Sequence, residues 1–294
     1  MEIPCGVPLL RWPAGAEAAL TFSFDDGLAA TYQETVLALH HRGLCGTYHV
    51  VTGQVGAFCG GLPTANWAQW REAARLGHEI GSHGSRHAAL AGPLSDVRRL
   101  LANLRAAPDR RAYARQVLAT ARVLLRWQAA SSPGNDRRPA APSVSDLAAS
   151  RQRIDQTLGS AATESFAYPA GRHSAIARRA VAAAGFQSAR TLDLGLNHAP
   201  RDLLALRAVA LGPGMTVEDM AAWFERARAA RAWLIAVFHL VAEQNAVGYP
   251  YFCSSADWQR LLDAVQARPV WIATQRQVVR YLAAGGMEEL CTGE

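Results

Sequence analysis

The feature that most constrains this chain is a rhythm: short apolar, β-prone runs alternate with amphipathic helical segments over most of its length. A strand that leads through a helix into the next strand has to cross over, and crossovers generate parallel strands covered by helices. Strands are expected near 19–24, 47–51, 79–82, 165–168, 187–190, 204–209, 234–238 and 270–273, with helices near 31–42, 64–76, 174–184, 217–230, 256–267 and 275–284. Ser255 before the fifth of these helices and Gly77 behind the second read as caps. No internal repeat is present. The pattern predicts an α/β chain built on a mostly parallel sheet or barrel, and 294 residues, half of them apolar, suffice for one large core.

One region breaks the rhythm. From Pro93 to Trp127 the sequence is helical and arginine-rich, with Leu94, Val97, Leu101 and Leu104 at helical spacing and Pro108 as a break. It reads as an inserted helical hairpin, followed at 131–142 (SSPGNDRRPAAP) by a segment of linker composition; Ser143 then reads as the N-cap of a helix reaching about Leu158. The expectation is a single domain over 1–294 with an insertion and linker at about 93–142. The insertion suits a packed elaboration or a homo-oligomer surface; a lid or an anion-binding surface is the alternative.

Composition narrows the function classes. All 30 basic residues are arginine, so a Schiff-base lysine, a pyridoxal phosphate lysine and a lysine-dependent phosphate loop are excluded. The net charge of +6 is compatible with acidic substrates, but no interleaving of aromatic and basic residues and no zinc-knuckle spacing points to nucleic acid. Cys5, Cys45, Cys59, Cys253 and Cys291 are odd in number, scattered and without a CxxC pair, which argues against a disulfide framework and against a cysteine metal site. No stretch reads as a membrane span, and the N-terminus has neither a basic start nor an apolar run, so a cytoplasmic protein is expected.

Two segments carry chemistry. In Thr21-Phe22-Ser23-Phe24-Asp25-Asp26-Gly27, a strand with alternating Leu20, Phe22 and Phe24 ends in two adjacent carboxylates, which can take different roles. Alone, Asp-Asp-Gly also suits a turn. In Gly81-Ser82-His83-Gly84-Ser85-Arg86-His87, two histidines four residues apart can face one ion. With Asp26 they make a two-histidine, one-carboxylate set that leaves coordination positions for water and substrate, as a catalytic zinc site requires. His78-Glu79 has the wrong spacing for a zinc-protease helix.

These residues resemble the NodB-homology polysaccharide deacetylases, carbohydrate esterase family four. The order of motifs is matched by TFSFDDG, GHEIGSHGSRH, FAYPAG at Phe166–Gly171, and AVFH at Ala236–His239, within agreement from about 19 to 281 apart from the insertion. The resemblance implies a distorted (β/α) barrel of about seven strands with its site at the C-terminal strand ends. It implies that Asp25 is a general base, that Asp26, His83 and His87 hold one divalent ion (zinc first, cobalt or nickel as alternatives), and that His239 is a general acid. The backbone N–H of Ala170 would help stabilise an oxyanion. The activity implied is removal of an N-acetyl or other small N-acyl group from an acetamido sugar or related small molecule. A hydrolase of non-sugar N-acyl, formyl or ureide groups is the second reading, and a non-catalytic sugar-binding protein the third.

The departures from the family pattern are informative. Many such proteins have an arginine two residues before the proline of the third motif; here that residue is Ala167, and Arg190 is the expected substitute partner for Asp25. Ala170 replaces a common tyrosine, and the aspartate-tryptophan pair of the fourth motif is missing, which leaves Asp193 as the candidate to orient His239, or else a turn residue. His49 lies in a strand, either lining the pocket or as a hydrogen-bonded core residue. His173, His198 and the His40-His41 pair read as solvated.

Overall fold

Alternation along the first long strand organises the molecule. Strand β1 (Ala18–Phe24) is buried throughout, because one face meets helices and the other a barrel interior. The computed structural model describes residues 9–91, 94–130, 143–159, 163–285 and 287–288, so the linker expected at 131–142 lies outside the described residues. Strands β2 (Thr47–Val50), β3 (Glu79–Ser82), β4 (Ser165–Ala167), β5 (Ser188–Leu194), β6 (Leu206–Ala210) and β7 (Trp233–Phe238) follow in parallel order. Strand β7 pairs back onto β1, from Trp233 opposite Ala19 to Phe238 opposite Phe24, and closes a seven-stranded barrel. An eighth strand, β8 (Val270–Ile272), pairs with Ala18–Leu20, while β2 pairs with β1 only at Ser23 and Phe24. Two strands thus share one edge of β1, and the barrel is distorted at that seam.

The helices are α1 (Ala29–His40), α2 (Trp67–Arg75), α3 (Leu94–Ala106), α4 (Arg110–Ala130), α5 (Val144–Leu158), α6 (Ala175–Ala183), α7 (Val217–Ala229), α8 (Ser255–Gln266) and α9 (Gln275–Ala283). Their starts follow side-chain capping. Asn66 and Gln69 form a capping box on α2, and Ser143 accepts from Asp146 N on α5. On α8 the cap is Ser254, one residue before the expected Ser255, because its Oγ is the group that accepts from Asp257 N. None of the described helices is long and apolar enough to cross a membrane.

Outward-facing Phe22 and Phe24 pack edge-on against Trp258 of α8, with centroids 5.0 and 5.4 Å away. The barrel interior is divided. Ala19, Leu206, Ala208, Trp233, Ile235 and Val237 form an apolar half closed below by α9 residues. Opposite them lie buried Ser23, Thr47, His49, Ser165, Ser188 and Arg190. Gly81 is required here: a Cβ on it would sit 2.4 Å from Ser165 Oγ and 2.7 Å from His49 Cδ2.

The insertion is a helical hairpin, and Asp109 caps its second helix after Pro108. It docks on the end of β5, where Asn103 accepts from Leu194 N at 2.8 Å and donates to Leu192 O at 3.3 Å. This clamp explains why β5 runs past its expected end at Arg190, with an irregularity between Arg190 and Leu194. The apolar spacing of Val97 and Leu101 faces solvent, both being more than half exposed; polar Asn103, with Arg99 on Ala170 O and Asp96 paired to Arg172, supplies docking contacts.

Candidate active site

Parallel strands aim their C-terminal ends at one mouth, and the candidate residues stand there. Asp25 and Asp26 follow β1, His83 follows β3, Pro169 lies just beyond β4, Arg190 is in β5 and His239 follows β7. Asp25 N donates to Phe238 O at 3.0 Å, which ties the first motif to the last. Three residues of this mouth hold left-handed backbone: Asp26 (φ 67°), His87 (φ 54°) and Ala170 (φ 54°). Such conformations disfavour side chains with a Cβ and persist where surroundings enforce them.

Asp25 is almost fully buried and forms an ion pair with Arg190, whose Nε also donates to Ser23 Oγ at 3.0 Å. Ser23 Oγ in turn lies 3.2 Å from His49 Nδ1, so His49 belongs to the layer beneath the carboxylate. Burial opposes ionisation of Asp25, but Arg190, His83, His239 and His49 outweigh it and hold the carboxyl below the usual range. Burial drives the His49 imidazole well below its ordinary value, aided by Arg190. Ala167 and Arg190 are register partners on adjacent strands, so the guanidinium enters the mouth beside the place where residue 167 would put one.

Asp26 faces the histidines. Its Oδ1 lies 3.3 Å from His87 Nε2 and 3.6 Å from His83 Nε2, and its Oδ2 accepts from Tyr249 Oη at 3.1 Å. His83 donates from Nδ1 to Ala167 O at 2.8 Å, since a carbonyl can only accept. That fixes the tautomer and leaves the Nε2 lone pair facing Asp26. Burial lowers the His83 pKa to about 4, so the ring is neutral at pH 7. Asp26 Oδ1 is buried without a hydrogen-bond partner. A neutral imidazole lone pair beside an unsatisfied carboxylate oxygen is the donor chemistry a divalent cation fits. Burial also works against Asp26, but His87, His239 and His83 hold it ionised.

Three neighbours of this centre escaped sequence reasoning. Tyr249 comes from a loop with no motif, and Ser23 hides within the apolar alternation of β1. Cys59, set aside for want of a CxxC pair, places its Sγ within 4.8 Å of the ligand atoms of Asp26 and His87. Burial and the Asp26 carboxylate push this thiol up.

His239 brings Nε2 within 3.8 Å of Asp25 Oδ2 and stacks on Tyr251 at 4.8 Å between centroids. Its Nδ1 is buried without a hydrogen-bond partner, so the expectation that Asp193 orients it fails. Asp193 instead accepts from His173 Nε2 at 3.1 Å. The same contact corrects the view of His173 as merely solvated. Ala170 occupies a tight turn whose carbonyl accepts from Arg99 of α3 at 2.7 Å, which links the insertion to the rim.

Against known proteins, residues 13–189 match the polysaccharide deacetylase family model. No curated protein matches the chain. A crystal structure of a polysaccharide deacetylase from Mycobacterium smegmatis, described as putative, is similar over 100% of this chain and 99% of that one, with 16% identity and a TM-score of 0.58. A family 4 carbohydrate esterase from Streptomyces lividans, in complex with acetate, is similar over 87% of this chain and 92% of that one, with 14% identity and a TM-score of 0.47. The barrel is the NodB type of (β/α) barrel. The family model spans more than half of the sequence, and the chain belongs to the polysaccharide deacetylase family.

Proposed function

We propose that the protein is a metal-dependent hydrolase that removes an N-acetyl or other small N-acyl group from an acetamido sugar or a related small molecule. The observation that carries this reading is the convergence at one barrel mouth of an arginine-paired carboxylate, an unsatisfied carboxylate facing two imidazoles, and a third imidazole. Asp26, His83 and His87 would hold the ion, zinc first, with cobalt or nickel as alternatives. A divalent ion bound there supplies a more acidic water, with a pKa near ~7, and polarisation of the acyl carbonyl.

The protein's own groups divide the remaining work. Asp25, kept ionised by Arg190, accepts the proton of the attacking water. His239 donates a proton to the departing nitrogen, since an amide anion is too basic to leave. The backbone N–H of Ala170 stabilises the oxygen on which charge develops. A binding protein has no use for a base held ionised next to such a site.

A second reading, hydrolysis of a non-sugar N-acyl, formyl or ureide group, rests on Ala170, a small residue at the position where the family commonly has a tyrosine. Cys45, Cys59 and Cys253 are free thiols, which supports a cytoplasmic, reducing compartment and, with it, a soluble, nucleotide-linked or lipid-linked substrate over an intact polymer. Exposed Val97, Leu100 and Leu101 on α3 supply the surface for a homo-oligomer through the insertion. Metal analysis joined to an acetate-release assay on N-acetylated sugars and on formyl and ureide compounds tests the whole reading. Stoichiometric metal with acetate release supports it; full turnover in the presence of a chelator overturns it.

A further inference from the structure

The cysteine at the site is placed there by a device of its own. Phe58–Cys59 and Leu62–Pro63 form a short antiparallel hairpin closed by Gly60 and Gly61, both with positive φ (57° and 83°). A two-residue turn of that kind matches the twist of the flanking strands and fixes which side chains face which way. Phe58 is 64% exposed while Cys59 is 2% exposed and turned inward among Leu28, Val51, Leu240 and Tyr249. Its Sγ, a ligand atom of Asp26 and a ring nitrogen of His87 all lie within 4.8 Å of one another. Asp26 Oδ1, 3.3 Å from His87 Nε2, is buried without a hydrogen-bond partner. A structural cysteine needs only apolar company; this one stands against two groups whose remaining valence suits a cation.

We propose that Cys59 is a further ligand to the ion, so that sulfur enters the donor set beside Asp26, His83 and His87. This inference rests on the metal-site reading above. On binding, the S–H bond breaks, a metal–sulfur bond forms and the proton leaves to solvent. Two consequences follow from the chemistry of the donors. A thiolate favours zinc or cobalt over harder magnesium and manganese, which prefer carboxylate, carbonyl and water oxygens. A fourth protein donor would also leave less room for water and substrate than the three-ligand set of a catalytic zinc site, which keeps a position open. The hairpin would then help set which metal is held.

The test uses the full chain with its ion replaced by Co2+. The expected spectrum has an intense near-ultraviolet thiolate-to-cobalt charge-transfer band, absent in Cys59→Ser and Cys59→Ala, with weaker visible d–d bands kept. Zinc affinity in chelator competition is expected to fall at least ~10- to 100-fold in both variants, no less than when a supporting hydrogen-bond partner is lost. Should the variants fail to fold, X-ray absorption of the zinc-loaded wild type decides, since a sulfur scatterer belongs at about 2.3 Å and oxygen or nitrogen alone at about 2.0–2.1 Å. Bound cobalt with d–d bands but no charge-transfer band, or a sulfur-free zinc shell, overturns the proposal and leaves the deacetylase reading intact. A chain that binds neither ion overturns both.

Discussion

Replacing Arg190 by methionine tests the electrostatic design of the site most directly. Arg190 is fully buried, Asp25 nearly so, and the two are ion-paired with the guanidinium Nε spent on Ser23. Two unit charges about 4 Å apart, at the effective dielectric that suits protein interiors, interact by about 4 kcal/mol, equivalent to roughly a thousandfold in the ionisation constant of Asp25. His83, His239 and His49 keep favouring the charged form, so part of that effect survives the substitution. If a third is lost, the acidic limb of kcat/KM moves up by about one pH unit. Arg190 lowers the Asp25 pKa, so its removal raises it; the limb must therefore shift to higher pH. Stability follows the same sign. In the wild type the depressed pKa contributes stability that is complete above the ordinary carboxylate range and lost as pH falls through the folded value. In the variant the pKa rises by about one unit, which removes about 1.4 kcal/mol of that pH-dependent contribution within a total cost of about 3–5 kcal/mol for breaking a buried pair. The gap between the two proteins should narrow on acidification, beginning at the variant's raised pKa. The assays are acetate release from an N-acetylglucosamine oligomer across pH and denaturant unfolding at two pH values. A uniform fall in kcat with an unmoved limb, or a stability gap that does not narrow in acid, refutes the argument. Ala167→Arg in the Arg190→Met background should restore part of the activity, because residues 167 and 190 are register partners.

Other expectations are simpler. Asp25→Asn should retain the ion and the fold but lose ~10²-fold or more in kcat; loss of the ion, as expected for Asp26→Asn, means the two carboxylates have been assigned the wrong way round. His83→Ala and His87→Ala should each remove most of the metal, read by elemental analysis of the purified chain. Tyr249→Phe removes the hydroxyl that donates to Asp26 Oδ2, and chelator competition should show metal affinity lower by about tenfold or more.

The fold was legible because its period is local. Apolar runs ending at Phe24, Val50, Ser82, Ala167 and Phe238 mark strands by composition alone, and the helices between them announce parallel order. The misses are places where a distant residue decides. Asp193-Leu194-Gly195 reads as a turn, yet Asn103 of the insertion holds Asp193 and Leu194 in strand. Which of the two readings of the insertion holds could not be seen from the spacing of Val97 and Leu101, both more than half exposed once α3 docks. At the site, Asp25, Asp26, His83 and His87 are visible because short spacing and strand ends betray them. Cys59 and Tyr249 are not, since one arrives on a short hairpin strand and the other from a loop, both far in sequence from the ligands they meet. A search for CxxC misses a site that uses a single thiol, although Gly60-Gly61 in the next two positions marks the hairpin that aims it.

Arg190 shows how this barrel supplies a charge beside Asp25. Side chains entering a barrel from adjacent strands converge, so a charge can be supplied from either of two register partners without moving the atom it serves. Ala167 leaves room where a long side chain would otherwise stand, and Arg190 fills it from β5 while gaining a second anchor in Ser23. The polar half of the interior, His49 and Ser23 included, makes that entry tolerable, for a buried guanidinium among apolar groups would be costly. The requirement is therefore a positive charge at one point beside Asp25, anchored from behind through Arg190 Nε on Ser23 Oγ.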